Sequence, residues 1–297
     1  MKKTKKLKIT KPNLKEPIRG SILIMPLFIG CMIFYFIPFC MVIRYSMRSS
    51  AGRNGRFVGL ANYTDLVSNE MFQLAYENTF RFLAIGLPLI LLISYLVALI
   101  LKSRAEQYKL LKSILLFPYI MPIVGTILLV DLLFANSGAV NQTLLTFGLP
   151  LQDWLESPLA FVVVVILYLW KNTGYSVILL LSGLMTIPED QYAAANLDGA
   201  GRWQAFWHIT MPQMWYSVFF AFLFSLINAF KCFREIFLIG GKHPNMNIYM
   251  LQHFLNNSFE NLNYNKLSVA SILFFIPITL VLGIAYGWVR KKEGYRG

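Results

Sequence analysis

Residues 186–212 read TIPEDQYAAANLDGAGRWQAFWHITMP, a polar, helix-forming stretch set between two long apolar runs, Leu159 to Leu184 and Gln213 to Ile239. Each run exceeds the roughly 20 helical residues that cross a hydrocarbon core, so the stretch is a connection presented at a membrane surface. Thr186 and Glu189 have capping-box spacing, with Pro188 in the first turn, and predict a short helix through Ala193, Ala194 and Ala195. Gly199 is placed to end it in the left-handed conformation, and a second amphipathic turn carrying Trp203, Phe206 and Trp207 is expected to run until Pro212 breaks it. Two readings follow. Three adjacent alanines leave little bulk, so another protein's groove can approach the backbone closely, with Tyr192 and Leu197 as larger anchors. Alternatively, the stretch is an interfacial loop with its aromatic face in the headgroups.

Working outward, four further runs reach spanning length: Ser21 to Ile43, Phe82 to Leu101, Ser113 to Phe134 and Leu267 to Val289. Of 297 residues 57% are hydrophobic and 14% charged, with mean hydropathy +0.56, which excludes an ordinary soluble domain. The expected fold is therefore an all-α integral membrane protein with six transmembrane helices, a single domain over residues 20–297 behind a basic tail, residues 1–19, read as unstructured. The run Ser21 to Ile43 is too long for the h-region of a signal peptide, about 7 to 15 residues, and counts as the first span.

The formal charge of +13 flanks the apolar runs, so it speaks for a bilayer and against a nucleic acid. The tail, then Lys102, Arg104, Lys109 and Lys112, then Arg290, Lys291, Lys292 and Arg296, lie on one side. The opposite loops carry fewer, chiefly Arg48, Arg53, Arg56, Lys242 and Lys266. The positive-inside rule makes both termini and the 186–212 loop cytoplasmic. The external segments, Met47 to Arg81, Ala135 to Pro158 and Gly240 to Lys266, are rich in Asn, Ser and Gly and long enough for short helices that form a docking rim.

Catalytic chemistry is not suggested. Gly240-Gly241-Lys242 lacks the spacing of a nucleotide-binding loop, and His208, His243 and His253 have neither metal-ligand spacing nor a Ser and Asp arranged with them. Cys31, Cys40 and Cys232 have no paired spacing. No catalytic residue, metal site or cofactor is assigned to the chain. Gly283 and Gly287 have the spacing that lets membrane helices approach, and Pro118 and Pro122 are expected to bend the third span.

Polar residues inside the spans carry more information. In the fourth span Tyr168, Lys171 or Asn172, Tyr175 and Ser182 recur on one helical face, and in the fifth Ser225, Asn228, Lys231 or Cys232, and Glu235 do the same. Burying such groups in lipid is expensive, so these faces point into the bundle or a wet cavity. Aromatic rings beside amides and hydroxyls suit a sugar, which stacks its C–H faces and hydrogen-bonds its hydroxyls. The same groups also serve as contacts between helices, and Lys231 and Glu235, one turn apart, can neutralise each other.

The arrangement Tyr192, Ala193, Ala194, Ala195, Asp198, Gly199, Ala200, Ile209 and Pro212 resembles the EAA loop of permease subunits in binding-protein-dependent ABC importers, in the form of the carbohydrate branch. The chain departs at Ala193, usually Glu, and at Met211, usually Leu. FVGLANYTDL with ENTF, and GAVNQTLL with FGL, are also similar to stretches of sugar-type permeases, while Asn265, Lys266 and Leu267 replace a usual Gly- or Ala-rich entry to the last span. The resemblance implies alternating access and a carbohydrate cargo, with an organic phosphate as alternative. It implies coupling through this loop to two ATPase subunits that hold ATP and Mg, a second homologous permease and an extracytoplasmic binding protein. A secondary transporter is the rival from another class, but no inverted repeat is visible.

Overall fold

The computed structural model describes residues 15–50, 55–102 and 108–293, and most of them are helical. With no water in hydrocarbon to bond a free N–H or C=O, an apolar chain satisfies its backbone within each segment, as helix. Six stretches are long and apolar enough to cross a membrane: Leu23–Ser46, Glu70–Lys102, Ile123–Thr146, Ala160–Met185, Arg202–Gly240 and Tyr264–Lys291.

The first crossing joins α1 (Lys15–Cys31), a π-helical turn (Met32–Phe36) and α2 (Ile37–Ser46). Helix α1 starts inside the stretch read as an unstructured tail, while residues 1–14 of that tail lie outside the described residues, as do Arg53, Arg104 and Arg296. After the surface helix α3 (Ala61–Val67), α4 (Glu70–Lys102) begins twelve residues before the apolar run.

The third crossing differs from its expected single helix. The apolar run expected to form it is divided into α5 (Tyr108–Ile120) and α6 (Ile123–Phe134), and the stretch long enough to span begins only at Ile123 and continues to Thr146. Pro122 is extended at φ −57 and ψ 144; it has no N–H to donate and disfavours the helical region for Met121, so the chain hinges there. Helix α5 runs along α8 (Ala160–Met185), and α6 touches it. A Cβ on Gly174 would collide with the Leu115 carbonyl, Tyr119 stacks on Tyr175 with centroids 4.8 Å apart, and Val130 packs with Val163. Helix α7 (Ala139–Thr146) follows and packs against α6.

Helix α8 is the centre of the bundle, with half of its apolar window buried, whereas the first crossing, which touches the rest chiefly through α2 on the last helix, buries none. Tyr168 ties three helices together. It is fully buried, its hydroxyl donates to the Ser225 carbonyl at 2.8 Å and its ring meets Phe82 edge-on at 5.3 Å. Beyond α8 come α9 (Glu189–Leu197), α10 (Arg202–Ala205), a π-helical turn (Phe206–Thr210), α11 (Met211–Lys231), α12 (Phe233–Gly240), α13 (Leu251–Glu260) and α14 (Tyr264–Glu293). On α14, a Cβ at Gly283 or Gly287 would meet nothing within 4 Å, so no other helix of this chain packs closely on them.

Asparagines hold the segments that join the crossings. Asn62 Nδ2 donates to the carbonyls of Ser46 and Arg48, both at 2.8 Å, and Asn78 Nδ2 to those of Met246 and Tyr249 at 2.7 and 3.1 Å. Asn141 donates to Asn136 and Gln152 and accepts from the Gln152 N–H and Trp154 Nε1. The buried carboxamides thus replace water for loop backbone groups that would otherwise be unsatisfied. Asn265, part of the unusual entry to the last span, donates to the Arg48 carbonyl. His253 is fully buried among Phe233, Phe237 and Tyr249, with Nδ1 accepting the Met250 N–H at 3.1 Å. Burial pushes its imidazole down to about 4.

Candidate functional site

The two long helices α8 and α11 carry one feature between them in sequence and another between them in space. The first is α9. Its start differs from the expected capping box: Thr186 closes α8, donating its hydroxyl to the Gly183 carbonyl at 2.7 Å, and Pro188 is the N-cap, extended at ψ 134. A threonine in α-helical geometry cannot also reach forward to cap the next helix. The end is as expected. Gly199 has φ +81, and the N–H of Ala200 reaches back to the Ala195 carbonyl at 2.8 Å, closing a Schellman-type turn.

Pro212 does not break the chain, as expected, but sits in the first turn of α11 within one continuous stretch from Arg202 to Gly240. The preceding π turn explains this: the Met211 N–H bonds the Phe206 carbonyl, five residues back, so the ladder is already re-registered where proline brings no donor.

Tyr192 is an inward anchor. Its hydroxyl bonds Thr210 Oγ1 at 2.9 Å and the Lys102 ammonium sits 4.4 Å from its ring centroid, so α9 is pinned to α4 and to the π turn. Ile209 packs with the same inner cluster. Gln213 adds a bond to Gln191. Ala193, Ala194, Asp198 and Gly199 face outward, and Leu197 is 90% exposed. The contacts of Tyr192 with Lys102 and Thr210 carry no signal in the sequence, because Lys102 is ninety residues away and Thr210 eighteen, too far for helical spacing to pair them.

The second feature is a polar cavity of about 320 Å3 between the hinge of the third crossing, α8 and the α11–α12 junction. Tyr119, Tyr168, Lys171, Asn172, Asn228 and Glu235 contribute to its wall, with Lys231 and Arg234 at the junction. Asn172 Nδ2 donates to the Tyr168 carbonyl at 2.9 Å. Lys171 Nζ contacts Glu235 Oε1 at 2.5 Å, so Glu235 pairs across the helices rather than with Lys231 one turn away. Of the predicted pathway residues, Ser225 and Tyr175 lie outside the wall. Ser225 is buried with its hydroxyl 3.2 Å from that of Ser176, and Tyr175 stacks on Tyr119 and meets Phe224 edge-on. Ser182 turns back to the Ile178 carbonyl. Tyr119 had no signal beyond its nearness to Pro118 and Pro122. Among the described residues no group of His, Cys, Asp and Glu is arranged to hold a metal.

The family model described as the binding-protein-dependent transport system inner membrane component matches residues 78–294, which include α9 and the cavity. The trehalose/maltose transport system permease protein MalF of Thermococcus litoralis is 30% identical over 275 residues, covering 91% of this chain and 92% of that protein. The chain belongs to this family of transport-system inner membrane components. Another member, the arabinooligosaccharides transport system permease protein AraP of Bacillus subtilis, is 24% identical over 277 residues, 92% of this chain and 88% of its own. A chain of a bacterial alginate ABC transporter, solved in complex with an alginate pentasaccharide-bound periplasmic protein, has the same fold, with TM-score 0.78, 22% identity and coverage of 94% and 97%. The family assigns the chain to a multi-pass membrane protein and to a transport subunit rather than an enzyme.

Proposed function

We propose that the chain is one permease subunit of an ATP-driven importer for a carbohydrate, worked by alternating access. One observation carries this: the exposed helix α9 lies in the connection between α8 and α11, the two helices that wall the polar cavity, and Tyr192 pins it to the π turn before α11 and to α4, so force applied to α9 is delivered to the helices of the cavity. The outward face of α9, with Ala193, Ala194 and Leu197, is the docking element for an ATPase subunit that supplies ATP and Mg, and Tyr192 transmits its movement to α4 and α11. A second permease completes the pathway, an extracytoplasmic binding protein docks on the outer rim of α3, α7 and α13, and both termini lie in the cytoplasm. The carbohydrate cargo is supported by the sugar-transport names of the relatives and by a cavity that offers carboxamides and a tyrosine edge. Asn172, Asn228 and Glu235 are the cargo contacts; Tyr168 and Ser225 hold the helices in register.

The test is single-cysteine labelling with an impermeant reagent combined with uptake. Asp198→Cys is expected to be silent in intact cells and labelled in inverted membranes, with Asn257→Cys the reverse, and purification through a tag on this chain is expected to bring down an ATPase and a second permease. Labelling of position 198 from outside, or recovery of the chain alone under conditions that keep it folded, contradicts the proposal.

A further inference from the structure

The charges around the cavity do not balance. Three cations, Lys171, Lys231 and Arg234, face one acid, Glu235, and the Lys171–Glu235 ion pair accounts for one of each. Lys231 and Arg234 make no ion pair among the described residues, and neither does Asp131 on the neighbouring helix α6. Their depth makes this consequential. Lys231 and Arg234 lie nine and six residues before the end of their crossing at Gly240, about 14 and 9 Å at roughly 1.5 Å per residue, and both are exposed at the cavity. At that depth an uncompensated cation faces neither lipid nor the packed core but a water-filled path. Lys231 and Arg234 are also three residues apart, where like charges repel unless an anion lies between them. Finally, Glu235 is 6% exposed, and its second oxygen, Oε2, accepts no hydrogen bond. A buried carboxylate oxygen in that state lacks a donor such as a hydroxyl.

We infer that the cargo is an anionic saccharide, one bearing a carboxylate or phosphate. Lys231 and Arg234 hold the anionic group, Glu235 Oε2 accepts a ring hydroxyl, and Asn172 and Asn228 contact the remaining hydroxyls. The Lys171–Glu235 pair cancels the carboxylate's charge, so the acid that binds a hydroxyl does not repel the anion beside it. This rests on the carbohydrate reading above and sharpens it.

Cells expressing the complete importer are given a pool of neutral, uronate-bearing and phosphorylated saccharides together with glycerol phosphate, and depletion is followed by mass spectrometry. Wild type is expected to take up uronate-bearing or phosphorylated sugars in preference to neutral ones of the same size, and the class depleted first identifies the anion. Lys231→Gln and Arg234→Gln are each expected to reduce that preference by about tenfold, the worth of one charge-assisted hydrogen bond, while Lys231→Arg retains it. A wild-type preference for neutral sugars, or an unchanged preference in both Gln variants, overturns the inference and leaves the carbohydrate reading standing. Loss of the assembled complex in the Gln variants assigns these cations to a contact between subunits and also overturns it. Uptake of glycerol phosphate with no saccharide fails the carbohydrate reading itself.

Discussion

Replacing Gly199 tests whether the turn after α9 matters through its backbone. The residue stands at φ +81, and a Cβ there would meet no atom within 4 Å, so a substitution costs conformational strain and no clash. The left-handed region costs an ordinary residue about 1 to 2 kcal/mol, more when it is β-branched, and asparagine much less. Gly199→Val is therefore expected to shift the equilibrium between the closed turn, with its Ala200 to Ala195 bond, and an opened one by roughly thirtyfold, from about 2 kcal/mol. Gly199→Ala shifts it by about fivefold, and Gly199→Asn is nearly neutral. Uptake and cargo-stimulated ATP hydrolysis, both normalised to protein inserted in the membrane, should fall in the order Gly, Asn, Ala, Val. If Val couples normally, the turn does not transmit force; if Asn is as impaired as Val, side-chain size and not φ is responsible, and the backbone reasoning is refuted.

Lys171→Met strands a buried carboxylate and is expected to cost about 3 to 5 kcal/mol, seen as a lower melting temperature in detergent, whereas Lys171→Met with Glu235→Leu recovers most of it. Equal losses in the single and double variants would deny the pair its electrostatic role. Because His253 is held below the usual 6.5, at about 4, the unfolded chain binds the proton first as pH falls, so its contribution to stability is present above pH 6.5 and is lost towards pH 4. Thermal melts from pH 7 to 4 should show that loss, up to about 3 kcal/mol, and His253→Gln should flatten it; an unchanged slope would place the pH response elsewhere. Asn228→Leu should lower uptake while the complex survives detergent extraction, and Ser225→Ala, whose hydroxyl faces Ser176 at 3.2 Å, should leave uptake unchanged. Transport indifferent to Asn228→Leu would remove it from the pathway.

The six crossings and α9 were legible along the chain because their causes are local: apolar length specifies a membrane helix, and a glycine after three alanines specifies where a short helix stops. Local signals also misled where two neighbours compete for one group. Thr186 served the helix behind it instead of the one ahead, and Pro212 was absorbed by a π turn that no composition announces. The stripe in α8 and α11 was readable as polar and inward, but spacing along one helix cannot say which partner a side chain meets on another. Glu235 chose Lys171, sixty-four residues away, over Lys231 four residues away, because a buried carboxylate takes the cation that packing brings within hydrogen-bond reach. That choice, and the hinge at Pro122 that brings Tyr119 to the cavity, arise only when the helices assemble. Sequence determined what each segment is; tertiary packing decided which polar groups pair with each other and which face the cavity.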